Sequence, residues 1–514
     1  MTQSSDVAER YLHAAIGNLS IVRHTLASHG ELPLRDYVGQ LFHFPEATCQ
    51  DRADLVDVVR EYAAPLLGGP IAEQAANHVA LAPIVLTANH HGVDFFAQSI
   101  QSSLLFALHE PRPRTIPVFA CGAVPLNNVT FPRGLLLYRG AQDGSSRLPI
   151  KLPIYPDRYK HDLVNSVRGI DETMLDRAEE RAQRLFLEGR AAADLEEATK
   201  TVLQADYRHP AVLARPSYSE QAVILNHRIW KRLFRDPGHE PDLVYLELEK
   251  IAARLLCHDL MNGSSLARCV FFDADVREML LKNLDGHRGC WDLTALHAHL
   301  NPRVESPTAN TGTVFFWGVD EQKRRTPLNL DLPGCTALVG VGNHGERIEI
   351  PFSAKGLCEA LKAGKVFPSL FTSYLAIALA RGVTCVGGYY QAEYLPAMQR
   401  GVVHAVQRSE RQRAFAEKVS QVKTESYLSG MQAVMTLAGA GALAPAGALE
   451  IIAGGGLSGE DLANIGDITV REAHLASVVD TVRDVAPEVV DSATWEKQVG
   501  VDLKRVLSRR IVLK

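Results

Sequence analysis

The segment from residue 81 to residue 122 constrains the fold more than any other. LAPIVLTA (81–88) is a short apolar run with β-branched residues and reads as a buried strand. It ends in NHHG. VDFFAQSIQSSLLFALHE (93–110) follows with apolar residues at helical spacing, and after PRPR comes a second strand-like run, TIPVFACG (115–122). Strand, turn, helix, strand is a βαβ-like order, which argues for an α/β layer.

The rest of the chain is organised around that unit. Residues 1–80 read as a helical N-terminal region, 81–160 as a first α/β segment and 161–264 as a helical insertion. Residues 265–400 read as a second α/β segment and 401–514 as a helical C-terminal region. Strand signals recur at GLLLYRG (134–140), ARCVFFDA (267–274), GTVFFWGV (312–319), CTALVGVG (335–342), ERIEIPF (346–352) and VTCVGG (383–388). LVYLELEKIAARLLCHDL (243–260) reads as helix, and AQDGSSR (141–147) as a loop. The expected fold is therefore α/β: one or two mixed or parallel sheet layers with helical ends and a helical insertion.

Composition excludes several classes. A formal charge of −5 on 514 residues has the wrong sign for a nucleic-acid binder, and no long Lys/Arg block occurs. The eight cysteines include no CxxC pair, which speaks against a zinc ribbon and for reduced thiols in the cytoplasm. MTQSSDVAERYLHAAIGNLS carries charges where a signal peptide needs an apolar core. MTLAGAGALAPAGALEIIAGGG (435–456) contains Pro445 and Glu450 and reads as packed helices or a loop, not a spanning helix. No membrane or nucleic-acid partner is expected; a small-molecule substrate is, and a homo-oligomer is allowed.

The leading site candidate is Asn89, His90, His91 and Asp94, at the strand end where α/β proteins place ligands. His90 and Asp94 are four apart, on one face if a helix has begun there. Imidazole serves as base, acid or metal ligand near neutral pH, and Asp94 would orient the ring or join a metal's shell. The plainer alternative is that Asn89 or Asp94 caps the helix. Asn89-His90 resembles the NH-x4-D motif of the lysophosphatidate-type glycerolipid acyltransferases. Here Asp94 follows His90 after three residues instead of four, and FPRG (131–134) has arginine where that family has glutamate. The resemblance implies acyl transfer with His90 as base.

A second candidate is Asp273 and Asp275 in FFDADVRE, two carboxylates that an extended chain would point the same way to bind Mg²⁺ or share a proton. The stretch resembles the D-x-D motif of the haloacid dehalogenase superfamily, with Arg277 where that family has Thr or Val. A helix cap is the plainer alternative. GVGNHG (340–345) has dinucleotide-fingerprint spacing, but a strand-like run follows where the fingerprint needs a helix, so a hairpin turn carrying His344 is expected and NAD is not. Lys323, Arg324 and Arg325 are candidates to grip an anionic substrate. Gln391 is a candidate substrate contact, and Glu393 a ligand or acid/base group after the 383–388 strand.

Together these features lead us to expect an enzyme acting on a small polar molecule by metal-assisted chemistry. His90, His91 and Asp94 would supply ligands for a divalent ion, with a remote partner among Asp273, Asp275, His344 and Glu393. The alternatives are a metal-free, acyltransferase-like transferase with a His90–Asp94 acid/base pair and a non-catalytic binding or scaffold protein.

Overall fold

The computed structural model describes residues 7–43, 52–87, 89–140, 149–236, 238, 240–300, 311–331, 334–407, 412–438, 441–490, 495–507 and 512–513. The AQDGSSR loop and Cys49 lie outside them.

The fold is α/β. Its centre is a five-stranded parallel sheet of β1 (Ile84–Leu86), β2 (Thr115–Ala120), β3 (Asp242–Glu247), β4 (Thr384–Gly388) and β5 (Tyr427–Ser429), in the order β5-β4-β1-β2-β3. Alternate side chains serve two cores. Ile84, Leu86, Val118, Leu243 and Tyr245 join one apolar cluster, while Val85, Phe119, Val244 and Leu246 join the other. Both faces are thus covered, which is why these strands read as continuous apolar runs. Helices α1 (Ala97–Phe106), α2 (Tyr218–Arg232), α3 (Leu248–Met261) and α4 (Tyr389–Val406) pack around the sheet. As the 81–122 segment implies, β1, α1 and β2 form a parallel βαβ unit.

Three local expectations are corrected. LVYLE (243–247) is not helical: it belongs to β3, inside the supposed insertion, which pairs with β2 from Thr115↔Asp242 to Ala120↔Glu247, and the helix begins only at Leu248. ARCVFF is not a strand but part of the helix Leu266–Phe272, capped by Ser265. The β3 run is buried on both faces and shows no periodicity, and ARCVFF is too short for its period to separate strand from helix. The Gly/Ala-rich stretch holds an antiparallel hairpin, Val434–Leu437 with Leu443–Pro445, and then the helix Ala448–Ala453. No helix among the described residues is long and apolar enough to cross a membrane.

The GVGNHG turn joins two antiparallel strands, Ala337–Val341 and Arg347–Pro351, as expected for a hairpin.

Candidate functional site

The chain does not enter α1 directly from β1. Residues 89–91 continue extended beside the end of β2: Cys121 N donates to Asn89 O (2.9 Å) and His91 N donates to Cys121 O (2.7 Å). Successive side chains of an extended segment point to opposite sides, so the two histidines part. His90 lines an open cavity; His91 is fully buried. The helix starts only at Ala97, so His90 and Asp94 never share a helical face, and neither Asn89 nor Asp94 is its N-cap. Gly92, at φ 119°, turns the chain where a Cβ would overlap the Cβ of Pro132.

The cavity holds about 550 Å³ and opens beside the carboxyl ends of β1 and β2, between His90, Cys121, Glu249, Arg325, Trp317 and Tyr394. His90 Nδ1 lies 3.1 Å from Asn128 Oδ1. That oxygen also accepts from Thr130 N (2.9 Å), while Asn128 Nδ2 donates to Pro125 O (2.7 Å). The amide orientation is therefore set, and Nδ1 must be the protonated nitrogen. Burial holds the His90 pKa below that of free imidazole. The ring is neutral near pH 7, with the lone pair of Nε2 left for a ligand.

Glu249 is the site residue that sequence reasoning missed. It stands in the first turn of α3 and reaches across to β2, accepting from Gly122 N (2.7 Å) and Ala123 N (3.0 Å). Burial, followed by the neighbouring charge of Glu247, raises its pKa to about 7. The only sequence signal for it is E-x-E at 247–249 closing an apolar run, which points to a site only if that run is a strand ending at Glu247.

The other expected residues are dispersed. Asp94 bonds neither histidine ring: it accepts from Tyr245 Oη (2.9 Å), Asn89 Nδ2 (3.2 Å) and Phe96 N (3.0 Å), and burial raises its pKa to about 6. Asn128 takes the ring-orienting place expected of Asp94. His91 Nε2 donates to Ser219 Oγ (2.9 Å), whose hydroxyl donates to Glu247 (2.7 Å), and burial lowers the His91 pKa to about 4. Gln391 is buried between β1 and β4, held by Thr87 (2.7 Å) and Tyr374 (2.7 Å). It plugs the crevice where the strand order reverses, the usual ligand position in such sheets. Glu393 accepts from Ser20 N (3.0 Å). Asp273 caps the helix Ala274–Asn283 and lies with Asp275 in a separate surface cleft. His344 sits on the exposed hairpin turn beside Gln322. Lys323 and Arg324 are exposed and do not line the cavity; Arg325, at its mouth, does.

One group of described residues has the donor set and spacing to hold a metal ion: Asp54, His258 and Asp259, with ligand atoms within 4.8 Å of one another. Arg381 already engages both carboxylates, donating to Asp54 Oδ1 (2.9 Å) and to Asp259 Oδ2 and Oδ1 (3.1 and 3.0 Å). None of the three carries a sequence motif, and Asp54 comes from a distant helix.

Searches against protein-family models, curated proteins and solved structures find no match to this chain.

Proposed function

We propose that this chain is an enzyme that uses His90 as a general base on a small polar molecule held in the cavity. The observation that carries this reading is the Asn128-fixed tautomer, which leaves a neutral Nε2 at the cavity wall. Such a nitrogen takes a proton from a hydroxyl or amine as that group attacks. Glu249, with a pKa of about 7, is a second group in the same cavity able to exchange a proton at neutral pH. Group transfer to a hydroxyl or amine, acyl transfer included, is the reaction type this supports. The seven described cysteines are free thiols, which supports a cytoplasmic setting.

The test compares wild type with His90→Gln in a metabolite extract, following consumed and formed compounds by mass spectrometry. Conversion should vanish in His90→Gln and persist in Lys323→Ala, which lies outside the cavity. Equal conversion by His90→Gln refutes the reading.

A metal-assisted reading is supported by the Asp54–His258–Asp259 group. It requires an ion to displace Arg381 from two carboxylates. Stoichiometric metal in freshly purified protein, lost in His258→Ala, would favour it.

A further inference from the structure

Arg325 sits over the ring of Trp317, its guanidinium carbon 4.6 Å from the ring centroid. It spends one hydrogen bond on the protein, from Nη1 to Ala123 O at 3.3 Å. A guanidinium carries five N–H groups in a rigid fork, and no carboxylate among the described residues pairs with this one within salt-bridge distance. The ring contact holds the guanidinium beside Trp317, and both residues line the cavity that His90 lines. Arg288 adds a second cation to the lining, held over the Tyr390 ring at 3.3 Å.

The charge of the lining limits what such a fork can take. Against the two guanidiniums stand Asp292, which caps the helix beginning at Leu293 by accepting from Ala295 N (2.8 Å), and Glu249, itself only partly ionised near neutral pH. His90 is neutral. Apart from His287, which also lines the cavity, the net excess is at most about one positive charge, which one carboxylate balances and a phosphate dianion overfills. Trp317, Trp291, Tyr394, Leu370 and Val124 give the wall an apolar and aromatic part, beside the polar Thr313 and Ser369.

We infer that the cavity binds a monocarboxylic acid with an apolar or aromatic body, its carboxylate gripped in-plane by Arg325 and its body laid along the tryptophan wall. This deepens the reading of the cavity as an active site and rests on it only for the identity of the site. The inference places the carboxylate at Arg325 and the reacting hydroxyl or amine at the His90 side.

Benzoate and hexanoate, their amides, and inorganic phosphate serve as probes, with binding read by calorimetry and by tryptophan emission. The acids should bind wild type, the amides about ten- to a hundredfold more weakly, and phosphate more weakly than the acids. Arg325→Gln should lose the acids by the same factor, with an unchanged thermal melt, since Arg325 is an exposed edge residue. His90→Gln should bind the acids as wild type does. Failure of both acids to bind, amides binding as tightly as acids, tighter phosphate, or unchanged affinity in Arg325→Gln each overturn the assignment. If His90→Gln keeps full turnover, the catalytic reading falls while the Arg325 result stands; if Arg325→Gln binds normally, the reverse holds.

Discussion

Asn128 Oδ1 and His90 Nδ1, 3.1 Å apart, decide which imidazole nitrogen meets the cavity. Replacing that neutral acceptor by a carboxylate, Asn128→Asp, should raise the His90 pKa by about one to three pH units. The acidic limb of the rate profile should move up with it, and NMR titration of the ring checks the shift directly. Asn128→Ala should lower turnover, and His90→Gln should lower it by about a hundredfold or more.

Glu249 has a raised folded-state pKa, about 7 against a usual 4.5. Between those values the folded chain keeps a proton that the unfolded chain releases, so this group's contribution falls as pH rises through the window. The loss is at most about 3 kcal/mol and is complete above pH 7. Glu249→Gln has no such slope. It should be less stable than wild type near pH 5, where one of the two amide bonds is lost, and the gap should narrow towards pH 8 in urea titrations.

Arg381 is buried between Asp54 and Asp259. Arg381→Ala leaves two carboxylates facing each other and should cost about 3 to 5 kcal/mol. It also vacates the position an ion would take. Zinc affinity measured by calorimetry should therefore rise at least about tenfold in the variant, and His258→Ala in that background should cancel the gain.

Gly92 makes the turn that separates His91 from Asp94. Gly92→Ala forces a Cβ onto Pro132 at a positive φ and should cost about 1 to 3 kcal/mol or more. Loss of His90 reactivity towards diethylpyrocarbonate, mapped by mass spectrometry, would report whether the loop itself shifts.

The apolar runs at 81–88 and 115–122 were legible because β-branched residues bounded by turn signals leave few alternatives, and the helix between them set their parallel pairing. β3 was illegible for the opposite reason: with both faces covered, LVYLE shows no period at all. The site was half legible. His90 and Arg325 could be singled out by residue type and position, and the structure brings both to one cavity. Asp94, Asp273 and Glu393 could be singled out by the same rule, yet caps and loop bonds consume their carboxylates.

Residue order determined local things: where strands end, where helices are capped, and that GVGNHG turns a hairpin. Those depend on neighbours within a few positions. Tertiary structure alone decided which of two adjacent histidines faces the cavity, because that follows from pairing with Cys121 on another strand. It alone brought Glu249 to Gly122 and Arg325 to Ala123, and set Arg381 between Asp54 and Asp259. Such contacts join residues far apart in the chain, and their charges and protonation follow from burial that only the packed molecule creates.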